Sequence, residues 1–353
     1  MEREPSLKRE PNMKREAGMN RLGALSLFVA IAAGMLFTVS CNSCQSSKNV
    51  VVTEPYTQRS PEFNADSAYT FVAAQVAFGP RVPGTAAHMA CGDWLVAKLN
   101  EFGASVIEQK AELTHYDGQN LPIRNIIGSF RPEVEKRMLL FAHWDTRPFA
   151  DEETDGARQL QPIDGADDGA SGVGTLLEIA RQLQQYPADV GVDIIFFDLE
   201  DWGQPSFSDE WVQGDWWCVG SRYWSEQPHV ENYRASYGIL LDMVGAAGAT
   251  FMKEVYSVQY ASNVVEKVWS TAAKLGYGNY FLPKHGGYIT DDHLPVNQHH
   301  RAPSIDIINL KTDTRNGFGP HWHTHRDDMR NIDRASLKAA GQTVMEVIYN
   351  ESP

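Results

Sequence analysis

From residue 105 onward the chain alternates between short, continuously apolar runs and longer amphipathic stretches. Met138-Leu-Leu-Phe-Ala142 and Ile194-Ile-Phe-Phe197 carry no polar interruption, as strands covered on both faces should. Strands are predicted over 105–109, 124–130, 137–143, 192–198, 237–243 and 304–310, and helices over 170–184, 262–275 and 335–348. Ahead of these, Asp66 is placed as the cap of an amphipathic segment reaching Phe78. Gly79-Pro-Arg-Val-Pro-Gly-Thr85 must turn, because its prolines and glycines forbid regular structure. A second helix over 86–102 stops at Gly103. Strands alternating with helices predict an α/β fold, a three-layer sandwich whose mostly parallel central β-sheet is flanked by helices. No repeat and no compositional break follows residue 65, so 65–353 is expected to form a single domain.

The first forty residues depart from this pattern. Arg3, Lys8, Arg9, Lys14, Arg15 and Arg21 precede an apolar run over 22–39, the arrangement of an export signal (1–40). Thr38-Val-Ser-Cys41 resembles the cleavage box of a bacterial lipoprotein, in which Cys41 would carry the lipid and begin the mature chain. A retained anchor and a plain secretory signal are the alternatives. Residues 41–64, rich in Ser, Asn, Gln, Pro and Lys, read as a flexible tether. The protein is therefore expected to be exported, lipid-anchored, periplasm-facing and monomeric.

Removing 1–40 takes six basic and four acidic groups and moves the formal charge from −14 to −16. So acidic a chain is a poor partner for nucleic acid, whose phosphates call for a basic face. Of four cysteines, Cys41 and Cys44 lie in the tether, which leaves Cys91 and Cys218 as candidates for a disulfide.

Metal-capable side chains recur where predicted strands end or helices begin. They are His143 and Asp145, Asp168, Glu200 and Asp201, Asp242, and His323. In open α/β sheets, sites form beyond the carboxyl ends of the strands, so these residues can converge. Imidazole and carboxylate without thiolate suit catalytic zinc, which keeps one coordination position open. Each residue alone also has an ordinary reading. A strand-end His or Asp is commonly a satisfied polar group, and Asp168 sits where helix caps sit. Asp167 and Asp168 together exceed a cap's need, and two acids after a buried strand suggest a cation or proton transfer. Glu200 and Asp201 can serve different partners if the backbone turns there.

Of His321, His323 and His325, only His323 is taken as a ligand; His293, His299 and His300 are read as loop histidines. Asp151-Glu-Glu153 is read as a solvated acidic loop. Trp202, Trp216, Trp217 and Trp322 crowd the motifs and could line a pocket for an apolar or planar group.

The order His-x-Asp, Asp-Asp-Gly-x-Ser-Gly, Glu-Asp, Leu-Asp-Met-Val-Gly and Trp-His-Thr resembles the zinc aminopeptidase superfamily, and within it the glutaminyl cyclases, over residues 71–349. Gly79-Pro-Arg-Val-Pro-Gly-Thr85, Asp291-Asp-His-Leu-Pro295 and Trp322-His-Thr324 favour the cyclase branch. The resemblance implies one catalytic zinc, held by Asp168, Asp201 and His323. It implies cyclisation of the N-terminal glutamine of peptides and proteins to pyroglutamate, with release of ammonia. Glu200 would carry the proton, Asp242 and Asp291 would form a hydrogen-bonded chain near the amine, and Trp322 with Trp202 or Trp217 would wall the pocket. Asp201 stands where animal cyclases and the peptidases have glutamate, and Asp306 where animal cyclases have histidine; both departures look like a bacterial branch. The alternative is a dinuclear zinc aminopeptidase, whose second ion would need His143 and Asp242.

Overall fold

Two faces of one sheet sort the apolar runs. In the computed structural model, which describes residues 56–353, Met138, Leu140 and Ala142 turn to one side with Ile194 and Phe196. Leu139, Phe141, Ile195 and Phe197 turn to the other. Every one of these side chains is buried, which is why the strands lack polar alternation. The strands are β1 (Ser105–Thr114), β2 (Asn120–Phe130), β3 (Arg137–His143), β4 (Gly191–Phe197), β5 (Gly238–Asp242) and, after the short pair β6 (Phe251–Lys253) and β7 (Phe281–His285), β8 (Ser304–Ile308). The six-stranded sheet runs β1-β2-β4-β3-β5-β8. β4, β3, β5 and β8 are parallel, while β1 and β2 form an antiparallel hairpin whose inner strand runs antiparallel to β4. The expected mostly parallel sandwich is what forms.

The helices are α1 (Ala65–Val76), α2 (Ala86–Glu101), the single turn α3 (Gly156–Gln159), α4 (Ala170–Gln185), α5 (Val219–Glu226), α6 (Val255–Lys274), α7 (His293–Gln298) and α8 (Arg334–Tyr349). Side chains of α1, α2, α4, α6 and α8 pack in the larger core on one face, and Trp224 of α5 and Val296 of α7 in the smaller core on the other. α6 begins earlier than periodicity suggests because Glu254 caps it, accepting the N–H groups of Tyr256 and Ser257 at 2.7 and 2.6 Å. The non-helical backbone at Ala261 interrupts its pattern. α5, α7 and the β6–β7 pair are too short to announce themselves by period.

Three further expectations change. Asn64, not Asp66, caps α1. Residues 56–64, expected to end the tether, are fixed to α8: Glu346 accepts the N–H groups of Arg59 and Ser60, and Phe63 packs buried against Gly341. Cys91 and Cys218 are both buried and free, so no disulfide joins them. The export signal, Cys41 and the tether up to residue 55 lie outside the described residues.

Candidate active site

The parallel strands deliver the site. β3 ends at His143 and β5 at Asp242, while the chain leaving β4 turns through Leu199 (φ 53°) to present Glu200 and Asp201. That left-handed residue is the turn needed to aim adjacent acids at different partners. Asp168 precedes Gly169, whose φ of 97° no other residue adopts comfortably; a Cβ there would fall 2.6 Å from the carbonyl oxygen of Asp145. Gly169, the capping position of α4, makes no side-chain cap bond, so capping does not explain the paired aspartates. His323 arrives from a late loop, also in left-handed backbone (φ 52°).

Asp168, Asp201 and His323 offer ligand atoms that lie within 4.8 Å of one another. His323 Nε2 stands 3.3 Å from Asp201 Oδ1 and 3.7 Å from Asp168 Oδ2. Donors arranged tetrahedrally at 2.0–2.2 Å from zinc are about 3.3–3.6 Å apart, so the spacing fits. Both oxygens of Asp201 are buried and accept no well-directed hydrogen bond from the described residues, a costly arrangement unless a cation sits beside them. Nitrogen and oxygen donors of this kind suit zinc. His143 Nε2 lies 3.1 Å from the other oxygen of Asp168 and 3.2 Å from Asp242 Oδ1, and this trio is also compact enough to hold an ion. Asp168 thus stands between the two groups.

Glu200 is buried beside these ligands. Its Oε1 accepts from the Cys218 thiol at 3.2 Å, and Asp291 completes a cluster within 4.8 Å. Among the protein's own charges, burial raises the Glu200 pKa well above the ordinary carboxyl range; His143 opposes, and Asp291 and Asp201 add to the rise. Burial and Asp242 likewise push Asp291 far up. Asp306, buried on β8 with neither oxygen hydrogen-bonded among the described residues, is raised by burial and then by Asp291 and Asp242.

Glu200 and Asp291, with Asp168, Asp201 and Asp242, line a cavity of about 320 Å³ whose remaining wall includes Trp217, Tyr288, Phe318 and Trp322. Trp322 stacks on His323 with ring centres 3.6 Å apart, and Trp217 lies nearly parallel to the same imidazole at 6.3 Å. Trp202 does not line the cavity. It packs in an outer cluster with Leu121, Ile123, Leu199 and Val219, drawn there by the β1–β2 hairpin, so of the two candidate walls Trp217 is the one in place.

Several supports escaped sequence reasoning. Asp151 is not solvated: it is buried, with Oδ1 3.0 Å from His323 Nδ1, and an acidic run gave no sign that one member turns inward. Glu153 is half-buried and pairs with His325 at 3.1 Å. Asp167 accepts the N–H of Gly245 at 2.8 Å and meets His321 at 3.0 Å, while Asp327 accepts the N–H groups of Asp167 and Asp168. His293 is a buried residue of α7, 3.3 Å from Glu254, not a loop histidine.

A Zn-dependent exopeptidase from Parabacteroides distasonis is 59% identical, with a TM-score of 0.81 over 82% of this chain and 99% of that one. The glutaminyl cyclase of Tannerella forsythia is 58% identical, with a TM-score of 0.81 over 83% of this chain and 100% of that one. An aminopeptidase of Bacillus subtilis (YwaD) is 28% identical over 266 residues, 72% of this chain, though the match spans only 50% of that protein. The sequence pattern of peptidase family M28 extends over residues 125–348, from within β2 into α8, and so takes in His143, Asp168, Glu200, Asp201, Asp242, Asp291 and His323; the chain belongs to peptidase family M28.

Proposed function

We propose that this chain is a zinc-dependent glutaminyl-peptide cyclotransferase, acting on peptides and proteins with an N-terminal glutamine. The observation that carries the reading is the likeness to the T. forsythia glutaminyl cyclase over the whole length of that chain. One zinc per chain, held by Asp168, Asp201 and His323, would supply a Lewis acid toward the glutamine side-chain carbonyl.

The protein's own residues carry the rest. Trp217 and Trp322 confine the glutaminyl residue so that its α-amine faces its own carboxamide carbon, which turns a bimolecular attack into an intramolecular one. The new bond joins that nitrogen to that carbon, and the bond that breaks releases the side-chain nitrogen as ammonia. Glu200 takes the proton from the attacking amine and returns it to the leaving nitrogen; a carboxyl held at raised pKa serves both directions. Asp291 lies beside it and Asp242 lines the same cavity; these two hold the amine end by hydrogen bonds.

A dinuclear aminopeptidase is the second reading, favoured by the second compact trio of His143, Asp168 and Asp242. Supplying a glutaminyl peptide and a leucyl anilide in parallel separates the two. Ammonia and a pyroglutamyl product with the anilide intact, at one zinc per chain, fits the cyclase. Anilide cleavage without cyclisation, at two zinc ions per chain, overturns it.

The expected address belongs to the same proposal: export, lipidation at Cys41 and a periplasm-facing monomer. Labelled fatty acid should enter the wild-type chain and not a Cys41→Ser variant. Equal labelling of both would remove the anchor from the proposal.

A further inference from the structure

Arg147 is a buried cation outside the ligand set, and it contacts the supports of two of its three members. Its Nε and Nη2 donate to the two oxygens of Asp151, at 3.0 and 2.7 Å. The first of those oxygens is the one 3.0 Å from His323 Nδ1. Nη1 donates to the carbonyls of Asp201 and Gly203, at 3.0 and 2.9 Å, and lies 3.6 Å from Asp201 Oδ1. The guanidinium carbon sits 4.6 Å from the centre of the Trp217 ring. That ring rests in turn on Gly203, where a Cβ would come within 1.9 Å of it.

We propose that Arg147 is a positioning residue that fixes two metal ligands and the aromatic wall of the cavity as one unit. Through Asp151 it orients the His323 imidazole so that Nε2 faces Asp168 and Asp201. A carboxylate behind a ligand histidine sets its tautomer and orientation, and loss of such a partner commonly weakens metal affinity 10–100-fold. Through the two carbonyls it holds the chain from Asp201 to Gly203, the platform on which Trp217 lies. Through its face it holds the Trp217 ring itself. Only a planar fork does all three, because lysine has a compact ammonium that cannot bridge two carboxylate oxygens and two carbonyls while stacking.

The inference rests on the zinc reading of Asp168, Asp201 and His323, but not on which reaction follows. The test is the zinc affinity of Arg147→Lys, measured by competition with a chromogenic chelator, together with kcat and KM of the zinc-saturated protein for whichever substrate the wild type turns over. The expected result is zinc affinity reduced 10–100-fold and KM raised severalfold, with a smaller change in kcat. Glu346→Gln, which loosens the distant 56–64 segment, controls for general destabilisation and should bind zinc as the wild type does. Zinc affinity and KM within about twofold of wild type, in an Arg147→Lys protein with unchanged near-ultraviolet dichroism, would overturn the proposal. Should that variant not fold, Asp151→Asn decides: it removes the charge behind His323, and undiminished zinc affinity there overturns the proposal equally. A wild type that binds zinc without cyclising glutamine would defeat the cyclase reading and leave this test standing.

Discussion

One carboxylate shapes the turn that carries Glu200, the proposed proton carrier: Asp145 Oδ1 accepts the backbone N–H of Glu200 at 3.2 Å, and its Oδ2 takes that of the next residue at the same distance. His-x-Asp is thus a ligand candidate followed by a scaffold residue two positions on. Asp145→Asn replaces one acceptor with a donor that faces a backbone N–H. The expected cost is about 1–3 kcal/mol of stability, since a buried donor loses its partner. Zinc affinity should fall as well, because Asp201 is then released from its turn. Thermal unfolding and zinc retention after dialysis check both, and a variant unchanged in each would remove Asp145 from this role.

Glu200→Gln keeps the shape of the side chain and removes its capacity to exchange a proton. The expected outcome is a loss of turnover of roughly 10²- to 10⁴-fold, the range for general acid–base groups. Zinc content should stay at the wild-type level, because Glu200 is not among the proposed ligands. Metal analysis alongside ammonia release distinguishes the outcomes. Activity near wild type would sink the assignment of the proton to Glu200.

Most of the ligand candidates were legible because they end an apolar run or open a helix, and local pattern records such places; His323, in a late loop, is the exception. Asp168 and Asp242 could be picked from the strand–helix alternation alone. Asp151 and Arg147 could not, because their value lies in contacts to His323 and Trp217, made across 172 residues in the Asp151–His323 case. Trp202 and Trp217 looked equivalent in the sequence, and only the folding of the β1–β2 hairpin over the former separates them. The 56–64 segment likewise has no apolar period; a carboxylate nearly 290 residues away, Glu346, fixes it through backbone N–H groups.

With zinc removed, stability should fall as pH rises. Burial pushes the Asp242 pKa up to about 7, with His143 opposing. Burial disfavours charged His323, but Asp201 and Asp151 overcome it and lift its pKa to about 9. Both folded-state values exceed the unfolded ones, so the folded chain holds these protons more tightly. The Asp242 contribution is complete below an unfolded pKa of 3.8 and is lost as pH rises through about 7. That of His323 is complete below 6.5 and is lost through about 9. The zinc-stripped protein should therefore melt at progressively lower temperature from mildly acidic to mildly alkaline buffer. Zinc needs deprotonated ligands, so the increment in Tm that it gives should grow over the same interval. Melting curves with zinc and with chelator test this, and a stripped protein that gains stability as pH rises would refute it.

Trp217 and Trp202 stand close in sequence but on different sides of the cavity wall. Trp217 lines the cavity and carries the Arg147 guanidinium on its face, whereas Trp202 packs among Leu121, Ile123, Leu199 and Val219. Trp217→Leu removes aromatic wall and should raise KM for a glutaminyl peptide severalfold, with little change in Tm. Trp202→Leu leaves the wall intact and opens a void in a buried cluster. Large-to-small replacements in cores cost about 2–5 kcal/mol when much volume is lost, and this change should fall toward the lower end because leucine refills part of the space. It should therefore lower Tm and leave KM unchanged. Steady-state kinetics and melting curves on the two variants give a crossed pattern if the assignment is right. A KM effect from Trp202→Leu as large as that from Trp217→Leu would mean that the substrate reaches the outer cluster, and the wall would have to be redrawn.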